Sequence, residues 1–123
     1  MSRRSHFDAG HGKPEHTFEI EDRGEDWGDE RYKMALNTPD FSHAATVTYD
    51  IYHDPHPTLE VSYLKSHIEG KGHARKLMEN LYQTYPAHFI DWGLVINPAS
   101  AHLASQFEDK YYNRTAYRTS EDF

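Results

Sequence analysis

Cysteine is absent from the 123 residues, which excludes disulfides, thiol nucleophiles and zinc sites built on thiolates, and fits a reducing compartment. No run approaches the roughly 18 to 20 consecutive apolar residues of a membrane-spanning helix. The opening Met1-Ser2-Arg3-Arg4-Ser5-His6 is not followed by an apolar signal core, so a soluble cytoplasmic protein without a membrane partner is expected. Basic residues are in the minority, 13 against 20 acidic, for a formal charge of -7. Nucleic-acid affinity rests on Lys/Arg clusters that release phosphate counterions, so direct nucleic-acid binding is not expected. A basic or small neutral partner is easier to accommodate.

What the chain does have is large aromatic side chains and histidine. Nine Tyr, six Phe and two Trp supply much of the apolar volume, and ten His add charge on mild acidification. A chain of this length is expected to form one domain with one core: residues 1–16 as a mobile tail and residues 17–123 as the folded unit.

Periodicity assigns the elements. Thr17-Phe18-Glu19-Ile20-Glu21 alternates and predicts a strand. Over residues 29–36, Tyr32, Ala35 and Leu36 recur at helical spacing, predicting a short amphipathic helix ended by Asn37-Thr38-Pro39-Asp40. Val47, Tyr49 and Ile51 alternate, and after the breaker Asp54-Pro55-His56-Pro57 so do Leu59, Val61 and Tyr63, predicting two antiparallel strands. Ala74, Leu77, Met78, Leu81, Tyr82 and Tyr85 line one face of a helix that Pro86 stops. Residues 88–96 alternate again, with Ile90, Trp92, Leu94 and Ile96 on one side and Phe89, Gly93 and Val95 on the other, as in a strand buried on both faces. Asn97-Pro98 supplies an N-cap and a proline at the first helical position for a last helix through Leu103, Phe107 and Tyr111. The segment from Tyr111 to Phe123 fits either a partner-binding tail or a final edge strand.

One junction carries chemistry. A strand running into Gly70-Lys71-Gly72 and then a helix is an arrangement that binds phosphates: glycines let the backbone close on an anion, and the first N–H groups of the helix point at it. The histidines are weaker signals. His6, His11 and His16 are spaced by five, and His53 and His56 flank the proline-rich loop; neither spacing sets two ligands on one helix face. No metal site is expected. Trp92 is expected in the core, and His88 and His102 at the surface or at caps.

The run Tyr63-Leu64-Lys65-Ser66-His67-Ile68-Glu69-Gly70-Lys71-Gly72-His73-Ala74-Arg75-Lys76-Leu77-Met78 resembles the central motif of the GNAT N-acetyltransferases: a strand, a loop with Arg/Gln-x-x-Gly-x-Gly/Ala, and a helix with a Leu-Leu or Leu-Met pair. The resemblance extends over residues 46–111. It implies a mixed α/β or α+β fold, with a central, mostly antiparallel twisted sheet and flanking helices, incomplete at one or both ends, whose missing strands a homodimer would supply. It further implies that Gly70, Lys71, Gly72, His73 and Ala74 cradle the pyrophosphate of acetyl-CoA or another acyl-CoA, that Tyr63, Leu64 and Lys65 pair with the pantetheine arm, and that Arg75 and Asn97 contact the cofactor. A backbone N–H near Leu64 would polarise the thioester carbonyl.

Two positions depart from the pattern. Glu69 stands where the family has Arg or Gln and brings negative charge near a pyrophosphate, with His67 as a substitute donor. The tyrosine that protonates the departing thiolate falls nearest Phe107, so Tyr111 or Tyr112 would take that role. Glu60, on the strand before the turn, is the candidate general base. The implied activity is acyl transfer, acetyl transfer in the first instance, to an amine of a small molecule or protein by direct attack in a ternary complex. The alternative is a GNAT-fold protein without turnover that binds or inhibits another macromolecule.

Overall fold

In the computed structural model, residues 2–5, 16–67 and 70–119 are described. The expectation of a mobile tail over residues 1–16 therefore lies largely outside the described residues. Within it, Ser2–Ser5 form an edge strand, β1, paired antiparallel with β2 (Thr17–Asp26).

β2 turns back at Trp27-Gly28, both in the left-handed region at φ 55° and 86°, into β3 (Asp29–Asn37). Two consecutive left-handed residues are the geometry of a tight hairpin whose twist matches its strands. Residues 29–36 are therefore a strand, and the expected helix is not formed. Tyr32 and Leu36 satisfy both templates, and pairing decides between them. Tyr32, Met34 and Leu36 alternate inward, with β2 hydrogen-bonded on one side and β4 (Ala45–Tyr52) on the other. β5 (Thr58–Ser66) completes an antiparallel block.

The chain then crosses over twice. α1 (His73–Thr84) leads to β6 (Phe89–Val95), parallel to β5, and α2 (Pro98–Lys110) leads through a short 3-10 turn to β7 (Thr115–Thr119), parallel to β6. The result is an α+β architecture: a seven-stranded mixed sheet in chain order, antiparallel through β5, with two helices. The segment 115–119 is the final strand, one of its two sequence readings.

Both helices cover the same face. Leu77, Met78, Leu81 and Tyr82 of α1 and Ala104 and Phe107 of α2 share one core with Met34, Val47, Tyr49, Leu59, Ile90 and Trp92 of the sheet. The C-terminal end of α1 is held by Arg114, whose guanidinium donates to the carbonyls of Tyr85 (2.5 Å), His88 (3.2 Å) and Tyr82 (3.4 Å) and lies over the Tyr82 ring. A cation at the carbonyls of this helix end suits the negative end of the helix dipole. Among the described residues no helix is long and apolar enough to cross a membrane.

Candidate functional site: a cleft between two parallel strands

β5 and β6 pair only from Thr58 to Glu60 against Phe89 to Asp91, although both strands continue beyond. Two irregularities stand where they part. In β5, Val61 opposes Tyr49 and Tyr63 opposes Thr48, leaving Ser62 as an extra residue whose hydroxyl donates to the Thr48 carbonyl at 3.1 Å. In β6, Gly93 takes φ 72°, its N–H donates to Asp91 Oδ1 at 2.8 Å, and the register against β7 shifts between Asp91 and Leu94. A bulge bends its strand and increases its twist, so two adjacent bulges turn the strand ends away from each other and open a wedge.

Gly93 is where the strands still touch, since a Cβ there would lie 3.4 Å from the Val61 carbonyl oxygen. A left-handed backbone with a side chain costs ~1–2 kcal/mol. Gly93→Ala is therefore expected to lower unfolding stability by about that amount, read by urea denaturation with an unchanged m-value. An equal midpoint would mean that the bulge tolerates a side chain.

The wedge holds two neighbouring cavities. The outer one, about 490 Å³, is lined by residues 61–64 of β5 and by Trp92, residues 94–97 and Ser100, with no charged side chain among them. The inner one, about 460 Å³, lies between the end of β5, the glycine turn and the beginnings of both helices. Leu64, Asn97 and Ser100 border both. Among the described residues lining the inner cavity are Lys65 and Arg75 but no Asp or Glu, although the chain as a whole carries -7.

The turn prepares this cavity for an anion. Gly70 and Gly72 both have positive φ, 79° and 72°, and Gly72 is the N-cap of α1 with no side-chain cap bond and no acidic residue in the first turn. The first intrahelical acceptor bond shown runs from the Lys76 N–H to the Gly72 carbonyl at 3.1 Å, so the N–H groups of His73, Ala74 and Arg75 have no helical partner. Arg75 donates to Gln106 Oε1 of α2, and Gln106 in turn meets His102 at 3.2 Å, which ties the two helices together across the cavity.

The cofactor-binding residues expected from the sequence are largely brought together. Tyr63 borders the outer cavity, Leu64 and Asn97 both, and Lys65, Gly70, Gly72, His73, Ala74 and Arg75 the inner one. Lys71 is exposed and lines neither; Glu69 lies outside the described residues. Asn97 caps α2, its side-chain oxygen accepting from the N–H groups of Ala99 (2.8 Å) and Ser100 (3.2 Å). Its amide nitrogen is the group left for a ligand.

The proposed catalytic side chains are not brought to the cavities. Glu60 is the last paired residue at the apex, exposed between buried Leu59 and Val61, and so on the face opposite the helices. It stands in register with Asp50 and Asp91. Burial first, and then the carboxylates of Glu60, Asp91 and Asp29, hold the Tyr52 hydroxyl above its ordinary value, which marks this face as acidic. Tyr111 ends α2 and stacks on Tyr82 at 4.4 Å, and Tyr112 is 73% exposed in the following turn. Gln106 is the last residue of α2 to line either cavity, and both tyrosines lie beyond it.

The structure adds residues that sequence reasoning missed. Ser62, Leu94, Ile96, Ser100, His102 and Gln106 all border the wedge, and Leu94 and Ile96 are 58% and 68% exposed instead of buried. A signal was present: the inward positions of β5 run from Val61 to Leu64, a step of three that marks a bulge, and a glycine interrupts the β6 pattern. Among the described residues no group of three or more His, Asp or Glu is placed to hold a metal ion; His53 pairs with Glu30 at 2.9 Å, and His56 lies edge-on to Phe89. Compared with protein-family models, with curated proteins and with solved structures, the chain matches none.

Proposed function

We propose that the chain is a GNAT-like N-acyltransferase that holds acetyl-CoA or another acyl-CoA in the wedge between β5 and β6 and passes the acyl group to an amine. The observation that carries this reading is the adjacency of two unlike compartments that share Leu64, Asn97 and Ser100. One is a cavity at the α1 N-terminus with no acidic side chain among its described lining residues, and the other is a cleft between separated strands whose described lining residues are uncharged. A CoA thioester has the matching halves, a pyrophosphate at one end and a neutral amide-rich arm at the other. Backbone N–H groups and the helix dipole favour the first. The unpaired edges of residues 61–66 and 92–95 suit the amides of the second, because a strand edge offers N–H and C=O groups in alternation.

Acyl transfer within such a complex rests mainly on placement. The attacking amine nitrogen forms its bond to the carbonyl carbon, the C–S bond breaks with its electron pair going to sulfur, and the ammonium proton leaves to water or a base. Orientation of the two reactants and an N–H donor for the developing oxyanion supply most of the acceleration. Glu60, at the apex on the open face, is the base of this proposal, acting through water. The acceptor is an amine of a small molecule or a protein.

A second reading has its own support: the separation of Tyr111 and Tyr112 from the cleft favours a scaffold that binds a macromolecular partner without turnover. Thermal unfolding with acetyl-CoA and with CoA tests the cofactor step common to the enzyme. At 100 times the dissociation constant the ligand is expected to stabilise the fold by about 2.7 kcal/mol. No shift at millimolar acetyl-CoA leaves only the scaffold.

A further inference from the structure

The β2–β3 hairpin ends in Trp27-Gly28, and Trp27 is 96% exposed at φ 55°. Both features are unfavourable where they stand. A two-residue turn with two positive φ angles favours Asn, Asp or Gly at its first position, because a bulky side chain on left-handed backbone is strained. The indole gains nothing in return, since it takes no part in the core and leaves its apolar area in water. Asparagine would serve the hairpin better. Tryptophan is, by contrast, among the residues most enriched as anchors of protein interfaces, so the indole marks a surface that a partner covers.

The charge around the indole says which partner. Residues 21–30 hold six acids, Glu21, Asp22, Glu25, Asp26, Asp29 and Glu30, against Arg23 alone. In the hairpin register Glu25 stands opposite Glu30 and Asp26 opposite Asp29, and like charges placed opposite each other work against strand pairing. Glu30 is occupied by the Tyr32 hydroxyl at 2.6 Å and by His53 at 2.9 Å, Asp22 accepts from the Gly24 N–H at 2.8 Å, and the Arg31 that follows meets Asp50 at 3.6 Å. Glu25 and Asp29, flanking the turn, are the carboxylates left for a partner. A cation offsets opposed carboxylates, and a guanidinium stacks on an indole face. The same acids oppose nucleic acid and anionic lipid. We infer that the hairpin tip is a docking element for a Lys/Arg-rich segment of a protein partner, with an arginine guanidinium on the Trp27 indole and further cations at Glu25 and Asp29. Glu30 lies in one row with Ile51, Leu59 and Ile90, at the end of the sheet where β5 and β6 are still paired, so this surface is separate from the wedge.

A docking role and a structural role for the indole predict opposite signs. Trp27→Asn leaves the net charge unchanged and supplies a residue that the turn favours, so the variant melts at the same or a higher temperature than the wild type. Nona-arginine, the probe in titration calorimetry, is expected to bind the wild type and to bind Trp27→Asn about 3- to 30-fold more weakly, the range of one cation–π contact. Trp27→Tyr keeps an aromatic face and falls between the two. Replacing Glu25 by Gln and Asp29 by Asn together also weakens nona-arginine binding and makes it less sensitive to salt.

If nona-arginine binds Trp27→Asn as it binds the wild type, its cations are held by other acids, such as the row of Asp50, Glu60 and Asp91, and the inference is overturned. Wild-type protein that does not bind nona-arginine overturns it too. So does a Trp27→Asn protein that melts at a lower temperature, because the indole would then serve the fold. Phosphatidylcholine vesicles that bind the wild type but not Trp27→Asn would make the tip a membrane anchor and overturn the inference as well. None of these outcomes bears on the acyl-CoA reading, which stands or falls on ligand-induced stabilisation.

Discussion

Gly72→Glu is expected to eliminate the stabilisation by acetyl-CoA while leaving the protein folded. Gly72 stands at φ 72° and ψ 17° as the N-cap of α1, and a Cβ built on it meets nothing within 4 Å. A side chain there enters open cavity without striking the wall. A glutamate places its carboxylate where the pyrophosphate would lie, and two such charges about 4 Å apart repel by ~4 kcal/mol at the effective dielectric of a protein surface. That is a loss of about a thousandfold in affinity, larger than the roughly 2.7 kcal/mol of ligand stabilisation available at 100 times the dissociation constant.

Strain must be separated from charge, because any L-residue at this φ costs ~1–2 kcal/mol. Gly72→Ala provides the comparison: it carries the same strain, lowers the ligand-free melting temperature, and retains most of the acetyl-CoA shift. The ligand-free Gly72→Glu protein should be no less stable than Gly72→Ala, since an acid in the first helical turn gains ~0.3–1 kcal/mol from the dipole. Calorimetric affinity surviving in Gly72→Glu would show that the phosphates lie elsewhere.

The turn was legible because its chemistry is local. Two glycines, a helix start and the absence of a side-chain cap are contiguous in sequence, and the helix after them shows an uninterrupted face from Leu77 to Tyr82. The wedge was not legible in the same way. Strict alternation places Tyr63 inward with Leu59 and Val61, whereas the extra residue Ser62 turns Leu64 inward and leaves Tyr63 exposed. One residue of slip moves every later side chain to the other face. Gly93 does the same in β6, so Val95 is buried and Leu94 exposed.

β3 shows the complementary limit. Tyr32, Ala35 and Leu36 fit a helix, and Tyr32, Met34 and Leu36 fit a strand; only the flanking partners β2 and β4 distinguish them. The α2 side of the cavity depends on topology alone. Ser100, His102 and Gln106 carry no motif, and they reach the turn because α2 crosses back over the face that α1 covers. Tyr111 and Tyr112 were expected at the site from the need for a hydroxyl near this helix, and the length of α2 carries them to its opposite end.

Tyr82→Phe is expected to destabilise the fold by about 2–4 kcal/mol, from two orphaned partners at ~1–2 kcal/mol each. The Tyr82 hydroxyl accepts from Trp92 Nε1 at 2.9 Å and shares a 2.7 Å hydrogen bond with Thr115 Oγ1; all three residues are buried. One oxygen thus joins α1, β6 and β7 beneath the wall of the wedge that Trp92 forms. Burial is the leading influence on this hydroxyl and raises its pKa despite the opposing bonds from Thr115 and Trp92, so it remains protonated as a neutral donor and acceptor.

At roughly 4 °C per kcal/mol for a chain of this size, the melting temperature should fall by about 8–16 °C. Trp92 fluorescence should report the change in its environment. The cause can be checked by adding Thr115→Val to Tyr82→Phe. When both partners of a buried bond become apolar, the penalty of the stranded group disappears, so the double variant should recover about 1 kcal/mol relative to Tyr82→Phe alone. A Tyr82→Phe melting temperature within about 2 °C of wild type, less than one neutral hydrogen bond is worth, would mean that Trp92 and Thr115 do not depend on this oxygen.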